Sequence, residues 1–268
     1  MSRRTLRSKL ATSILKISVN NNIALVQLNR PPVNALDRSS VIQLTETFRS
    51  LSDDSSSLIV VISSEINGIF SAGADIKEMS KIDRSDCREF LELGQGLCDA
   101  IEASRKPVIA AIEGVCVGGG FELMMACDFK IAGQTSTFGS PEVDLGVIPG
   151  WGGTQRLSRI IGSTKAMELL MTGRPISADE AMSLGLLTKV VDRGTALRTT
   201  LEFCENLTEK SPAAITAIKM SVRNGGKVSL GAGLEIEKNW YTTAFSSDKA
   251  KEAISRFLKK NKNEGETN

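Results

Sequence analysis

The chain has no histidine and a single tyrosine, Tyr241. Without imidazole there is no Ser-His-Asp triad, no Cys-His dyad and no zinc site built on imidazole. Acid/base chemistry must then come from carboxylates, Lys, Tyr or Cys. The five cysteines, Cys87, Cys98, Cys116, Cys127 and Cys204, are odd in number and include no C-x-x-C pair. Scattered through apolar stretches, they read as small core residues in a reducing compartment, not as a disulfide framework or metal site. No window approaches the ~18 uncharged apolar residues that a spanning helix needs. Phosphate-loop, nucleophile-elbow and complete G-x-G-x-x-G motifs are missing too, which removes the usual sequence support for nucleotide hydrolysis and dinucleotide redox chemistry.

What is present describes an ordinary globular chain of 268 residues, 41% hydrophobic and 24% charged. At about 150 residues per domain this allows one large domain, or one with an appendage. The 33 basic and 31 acidic residues balance to +2, which argues against a dedicated nucleic-acid binder, whose basic excess would be clustered. Residues 1–36 contain no acid while Arg3, Arg4, Arg7, Lys9, Lys16 and Arg30 are basic. That composition suits an organelle transit segment, yet a strand pattern begins near Ile14, leaving only a short basic arm at 1–13, for which a solvated tail is the simpler reading.

The first two-thirds alternate strand-like and helix-like segments, the signature of an α/β fold. Runs at 23–28, 58–62, 108–112 and 186–191 are short, branched and bounded by Gly, Pro or Asn; 14–19 and 23–28, separated by asparagines, predict a hairpin. Val41, Leu44, Phe48 and Leu51 recur at helical spacing, as do Phe90, Leu91, Gly94, Leu97, Cys98 and Ile101. Ser177 and Glu180 fit a capping box, with Gly185 as the stop. Beyond about Thr195 the pattern is helical: Pro212 opens one helix, Gly225 and Gly226 end it, and two more span about 230–245 and 248–260.

Three glycine-rich segments each follow a strand-like run, at 70–79, 117–128 and 138–157. Glycines let backbone amides approach a ligand closely, a helix starting there adds its positive end, and two converging N–H groups make an oxyanion hole. In the second segment the apolar run 123–127 predicts a buried helix with Glu122 in its first turn. That glutamate is either a functional carboxylate or an acid that simply favours the helix dipole. Glu142, in a loop-like Ser-Pro-Glu, is either the second functional carboxylate or an exposed loop acid, with Asp144 as a rival. Lys77 could meet a phosphate as a point charge, or be a solvated helix residue.

Five motifs in order, "LNRPPVNAL" at 28–36, "SAGADIKEM" at 71–79, "GGGFELMMACD" at 118–128, "FGSPEVDLGVIPGWGGTQRL" at 138–157 and "TGRPISADEAMSLGLLTKVV" at 172–191, closely resemble the crotonase, or enoyl-CoA hydratase/isomerase, family. The resemblance runs from about Ile14 to Lys260. It implies a spiral of repeated ββα units: a basic arm at 1–13, an α/β core at 14–194 carrying the active site, and a helical trimerisation segment at 195–268. It also implies a thioester oxygen held by the amides of Ala74 and Gly119, and two glutamates, Glu122 and Glu142, whose joint presence favours hydration. Ala35, Leu36 and Lys77 match positions along the CoA path, and Phe257 and Lys260 match contacts that a neighbouring subunit's C-terminal region makes with the adenine end. Trp151 matches a position near the acyl pocket, where a large ring should favour acyl chains of three to five carbons.

The expected activity is therefore that of a short-chain enoyl-CoA hydratase, acting on an acyl-CoA thioester in either direction, with CoA as part of the substrate and no other cofactor, metal or membrane. The expected assembly is a homotrimer or a dimer of trimers, in the cytoplasm or alternatively the mitochondrial matrix. Within the family, a Δ3,Δ2-enoyl-CoA isomerase needs no activated water. An acyl-CoA decarboxylase fits less well, because two acids would repel a departing carboxylate. Outside enzymology, the chain could be a noncatalytic CoA-binding subunit or use its basic arm on RNA; that alternative leaves the joint occurrence of the glycines and glutamates unexplained.

Overall fold

The computed structural model describes residues 14–265 and, for side chains, 14–258. The arm at 1–13 and the side chain of Lys260 lie outside the described residues. The predicted hairpin forms from β1 (Leu15–Asn20) and β2 (Ile23–Leu28), antiparallel with Leu15 opposite Leu28. Its turn residues Asn21 and Asn22 have φ of 50° and 62°, the conformation that two-residue hairpins need and asparagine tolerates. Helix α1 (Arg38–Asp53) follows, capped by Asp37, whose side chain accepts from the Ser40 N–H; Val41, Leu44, Phe48 and Leu51 face the core.

A unit of two strands and a helical segment then recurs. First come β3 (Ile59–Ser64), β4 (Ile69–Ser71), the short α2 (Ile76–Met79) and α3 (Cys87–Ala103). The second is β5 (Val108–Ile112), β6 (Val115–Val117) and α4 (Gly119–Ala126). The third is β7 (Phe129–Gly133), β8 (Thr137–Gly139), a 3-10 turn (Pro141–Leu145), α5 (Gly153–Ile161) and α6 (Ser163–Thr172). After β9 (Ile176–Ser177), α7 (Ala178–Ser183) and β10 (Lys189–Val191) the chain is helical: α8 (Ala196–Thr208), α9 (Pro212–Gly225), α10 (Leu230–Phe245) and α11 (Asp248–Gly265).

Each repeat gives its first strand to a six-stranded sheet, ordered β1-β2-β3-β5-β7-β10, and its second to a four-stranded sheet, ordered β4-β6-β8-β9. This is the expected spiral of ββα units. Alternation along the large sheet separates two cores. Val60, Ile62, Val108, Ala110 and Ile112 face the main core with α1, α3 and α4, while Ile59, Val61, Ile109 and Ala111 face Cys204, Leu197 and Leu201 of α8. In the small sheet β4, β6 and β8 are parallel neighbours, so their carboxyl ends deliver the three glycine-rich segments to one place.

Several sequence expectations need correction. Only residues 189–191 of the run 186–191 are strand; Leu186 and Leu187 are buried in the main core instead. Ser177 accepts from the Glu180 N–H, but the Glu180 carboxylate pairs with Arg174 and does not reach back, so only half of the capping box forms. Cys87 is exposed, unlike the other four cysteines. Glu142 sits in the 3-10 turn, not in a loop. At the C-terminus α10 buries no residue, and Ile218, Val222, Leu230, Tyr241, Phe245 and Phe257 are exposed along α9 to α11.

Candidate active site

The segment after β4 is fixed from several sides. Asn34, buried and with φ of 50°, donates from Nδ2 to the Phe70 carbonyl, and Ser71 Oγ donates to the Asn34 carbonyl. Leu36 accepts from the Asp75 N–H and donates to the Gly73 carbonyl, bridging Leu36 to Ala74 in parallel. Because Leu36 bonds to the residues on either side of Ala74, the Ala74 N–H points away from this bridge. Gly73, at φ of +85°, comes close to the start of α4: a Cβ there would lie 2.6 Å from the Gly119 nitrogen and 2.9 Å from the Val117 oxygen. Gly119 is the first residue of α4, where amides have no acceptor within the helix. Two amide-bearing segments thus meet across a contact that only glycine permits.

Glu122 is 2% exposed, between Phe121 and Leu123 in a helix whose residues are all buried. Its Oε1 accepts from the backbone N–H groups of Trp151 at 2.8 Å and Gly153 at 2.6 Å. Burial pushes its carboxyl up to about 8, a shift that the neighbouring Glu142 adds to and that the two amides and Arg156 partly offset. A Cβ at Gly153 would lie 2.9 Å from Oε1 and 2.7 Å from Pro149 Cβ, so this glycine is what lets the amide reach the carboxylate. Glu142 is raised as well, chiefly by burial, and its Oε2 is buried without a hydrogen-bond partner. Ala74, Gly119, Glu122, Glu142 and Trp151 all line one cavity of 870 Å³, whose other walls include Met79, Ile82, Phe90 and Leu91.

The other expected contacts are not part of that wall. The Leu36 side chain is buried in the core, so this residue acts locally through its backbone; Ala35 is half-buried, its carbonyl accepting from Arg30 Nη1. Lys77 is exposed on α2, beside Arg38 and Lys81, and Phe257 is exposed on α11. Sequence reasoning missed Arg156. Its Nη1 donates to the Trp151 carbonyl at 2.8 Å, its Nε to Glu102 at 2.7 Å and its Nη2 to Asp99 at 3.0 Å, which anchors the loop that presents both amides to Glu122. No local signal marks it, because its acidic partners lie on α3, more than fifty residues earlier in the chain.

Among the described residues, no group of three His, Cys, Asp or Glu side chains is arranged to hold a metal ion, and no helix is long and apolar enough to cross a membrane. Residues 18–267 match the family described as enoyl-CoA hydratase/isomerase. Among similar proteins, the short-chain-enoyl-CoA hydratase of Clostridium acetobutylicum is 36% identical over 244 residues, covering 91% of this chain and 94% of that one. The crotonyl-CoA hydratase of Syntrophomonas wolfei is 37% identical over 241 residues, covering 90% and 93%. A solved enoyl-CoA hydratase structure from Geobacillus kaustophilus matches with a TM-score of 0.90 at 32% identity, covering 92% of this chain and 94% of that one.

Proposed function

Since the chain belongs to the enoyl-CoA hydratase/isomerase family, we propose that it catalyses the reversible addition of water to a short trans-2-enoyl-CoA, giving the 3-hydroxyacyl-CoA. The observation that carries this reading is the pairing of a buried glutamate, Glu122, with a half-buried one, Glu142, both of raised proton affinity and on one cavity, beside two segments that offer backbone amides.

As water attacks C3 of the conjugated thioester, negative charge builds on the thioester oxygen. The amides of Ala74 and Gly119 receive it, and one donor of this kind is worth about 2.7–4 kcal/mol of barrier. Glu122, tied through Oε1, acts in the fraction that has lost its own proton: its other oxygen orients the water and takes the proton that water loses. Glu142 delivers its own proton to C2, so the added water is accounted for as hydroxyl at C3 and hydrogen at C2, and the two acids exchange charge. Burial and mutual repulsion hold such a pair in opposite protonation states.

The CoA moiety of the substrate extends past Ala35, Leu36 and Lys77, with Phe257 and Lys260 of a neighbouring subunit at the adenine end. The exposed apolar side chains of α9 to α11 support assembly as a trimer or dimer of trimers. Free thiols at all five cysteines support a reducing compartment, the cytoplasm or the mitochondrial matrix. Hydration of crotonyl-CoA, followed by loss of the conjugated thioester absorbance, is expected to fall by about a hundredfold or more in both Glu122→Gln and Glu142→Gln. Turnover near wild type in either variant removes that residue from the mechanism. Conversion of a 3-enoyl-CoA with no hydration of the 2-enoyl isomer would identify an isomerase instead.

A further inference from the structure

Gly94 lies in the middle of α3, where glycine is disfavoured relative to alanine. The space its side chain would fill is taken by the indole of Trp151: a Cβ at Gly94 would overlap Cγ, Cδ1 and Nε1 of that ring. Across the ring stands a second glycine, Gly119, where a Cβ would lie 2.5 Å from Cζ3 and 2.7 Å from Cε3. Both fall well inside the ~3.5–4.0 Å at which carbon atoms rest against each other. Phe90, one turn before Gly94, closes another side, its ring centre 6.3 Å from the indole's. The root of the side chain is fixed too, since the Trp151 N–H donates to Glu122 and its carbonyl accepts from Arg156. The indole is thus held on all these sides and is 2% exposed, yet it still lines the cavity.

We propose that Gly94 is the seat that holds the Trp151 indole back as a wall of the acyl site, and that this pair sets the length of acyl chain accepted. The inference rests on reading the cavity as an enoyl-CoA site. Gly94 touches no reacting atom and acts through the ring. A side chain at position 94 would push the indole, and the backbone of Gly119 blocks retreat toward α4. The open side is the cavity, so the ring would turn into the space that a longer acyl chain needs. Removing the indole has the opposite effect, opening the gap between α3 and α4.

The test uses the full-length protein with Gly94→Ala, Trp151→Ala and the double variant, measuring kcat/KM for crotonyl-CoA and trans-2-octenoyl-CoA. Gly94→Ala is expected to lower the octenoyl-to-crotonyl ratio about tenfold and Trp151→Ala to raise it about tenfold, the scale on which pockets discriminate methylene groups. The double variant should behave like Trp151→Ala to within about threefold, because the added methyl then has no ring to displace. A ratio unchanged in Gly94→Ala, or a double variant that keeps the Gly94→Ala loss, overturns the proposal. Should Gly94→Ala fail to fold, an unchanged ratio in Trp151→Ala overturns it and a raised one supports it. Calorimetric Kd values for butyryl-CoA and octanoyl-CoA, which cannot be hydrated, separate the two readings. A wild-type protein that hydrates neither enoyl-CoA fails as a hydratase, while the same ordering of Kd ratios across the variants keeps the seat. Binding of neither saturated ligand sinks both.

Discussion

Glu122→Gln is expected to stabilise the protein while abolishing turnover, and the gain should grow with pH. In the unfolded chain this carboxyl loses its proton near 4.5, whereas in the folded protein burial holds it until about 8. Across that window the folded state keeps a proton that the unfolded state has released, so stability falls as pH rises from 4.5 to 8 and the full penalty is present above 8. At about 1.4 kcal/mol per pH unit, a gap this wide caps the effect at about 5 kcal/mol, and water entering the cavity reduces what is measured to about 2–3 kcal/mol. Glutamine keeps the shape and the oxygen that accepts from Trp151 and Gly153, but carries no charge to bury. Urea unfolding at fixed protein concentration should therefore give similar midpoints for both proteins at pH 5 and a clearly higher midpoint for the variant at pH 9. Wild type and variant changing in parallel from pH 5 to 9 would refute the reasoning, because Glu122 would then ionise in the folded protein as freely as in the unfolded chain.

Gly73→Ala should cost about 1–3 kcal/mol of stability, because the φ of +85° is strained for any other residue. Its activity should fall further than its stability, since the new Cβ forces Ala74 and Gly119 apart; circular-dichroism melting and crotonyl-CoA kinetics on one preparation separate the two losses. Arg156→Met should lower kcat by about tenfold or more with a smaller change in KM, because it frees the Trp151 carbonyl and loosens the amides on Glu122 without touching the substrate. Arg156→Lys should restore stability more than turnover, as a lysine returns the charge beside Glu102 but not the fork that spans Glu102, Asp99 and Trp151. Full recovery of kcat by lysine would show that only the charge matters.

Strands β2 and β5 are legible in the sequence to the residue, because each is a short branched run with clear boundaries in a sheet buried on both faces. Strands β4, β6 and β8 are not, since three residues complete barely one alternation, and their pairing depends on partners more than twenty residues away. The glutamates were visible as candidates for the same reason that they remained ambiguous. Local spacing places Glu122 in the first turn of a helix, but burial on every side of that helix is a property of packing. Whether Glu142 shares a cavity with it is decided by the order β4-β6-β8 in the small sheet. The order of five motifs carried the resemblance further than local physics could, while Arg156 and Gly94 stayed hidden because their meaning lies in contacts with α3 and Trp151.

The spiral also explains how one local device delivers different groups to the cavity at each turn. Every repeat ends a strand of the small sheet in a glycine-rich segment, and parallel strands place those ends side by side. The first supplies the Ala74 amide. The second supplies Gly119 and, one helical turn on, Glu122. The third brings Glu142 and then the Trp151 and Gly153 amides that grip Glu122. In the proposed reaction, rigid elements thus hold each group while the chemistry is divided among them. An exposed glutamate near 4.3 would be a weak base at neutral pH, and imidazole near 6.5 is the usual remedy. Burial in α4 lifts Glu122 to about 8, past the imidazole range, so in the proposed reaction a chain with no histidine still has a carboxyl that gains and loses its proton within reach of neutral pH.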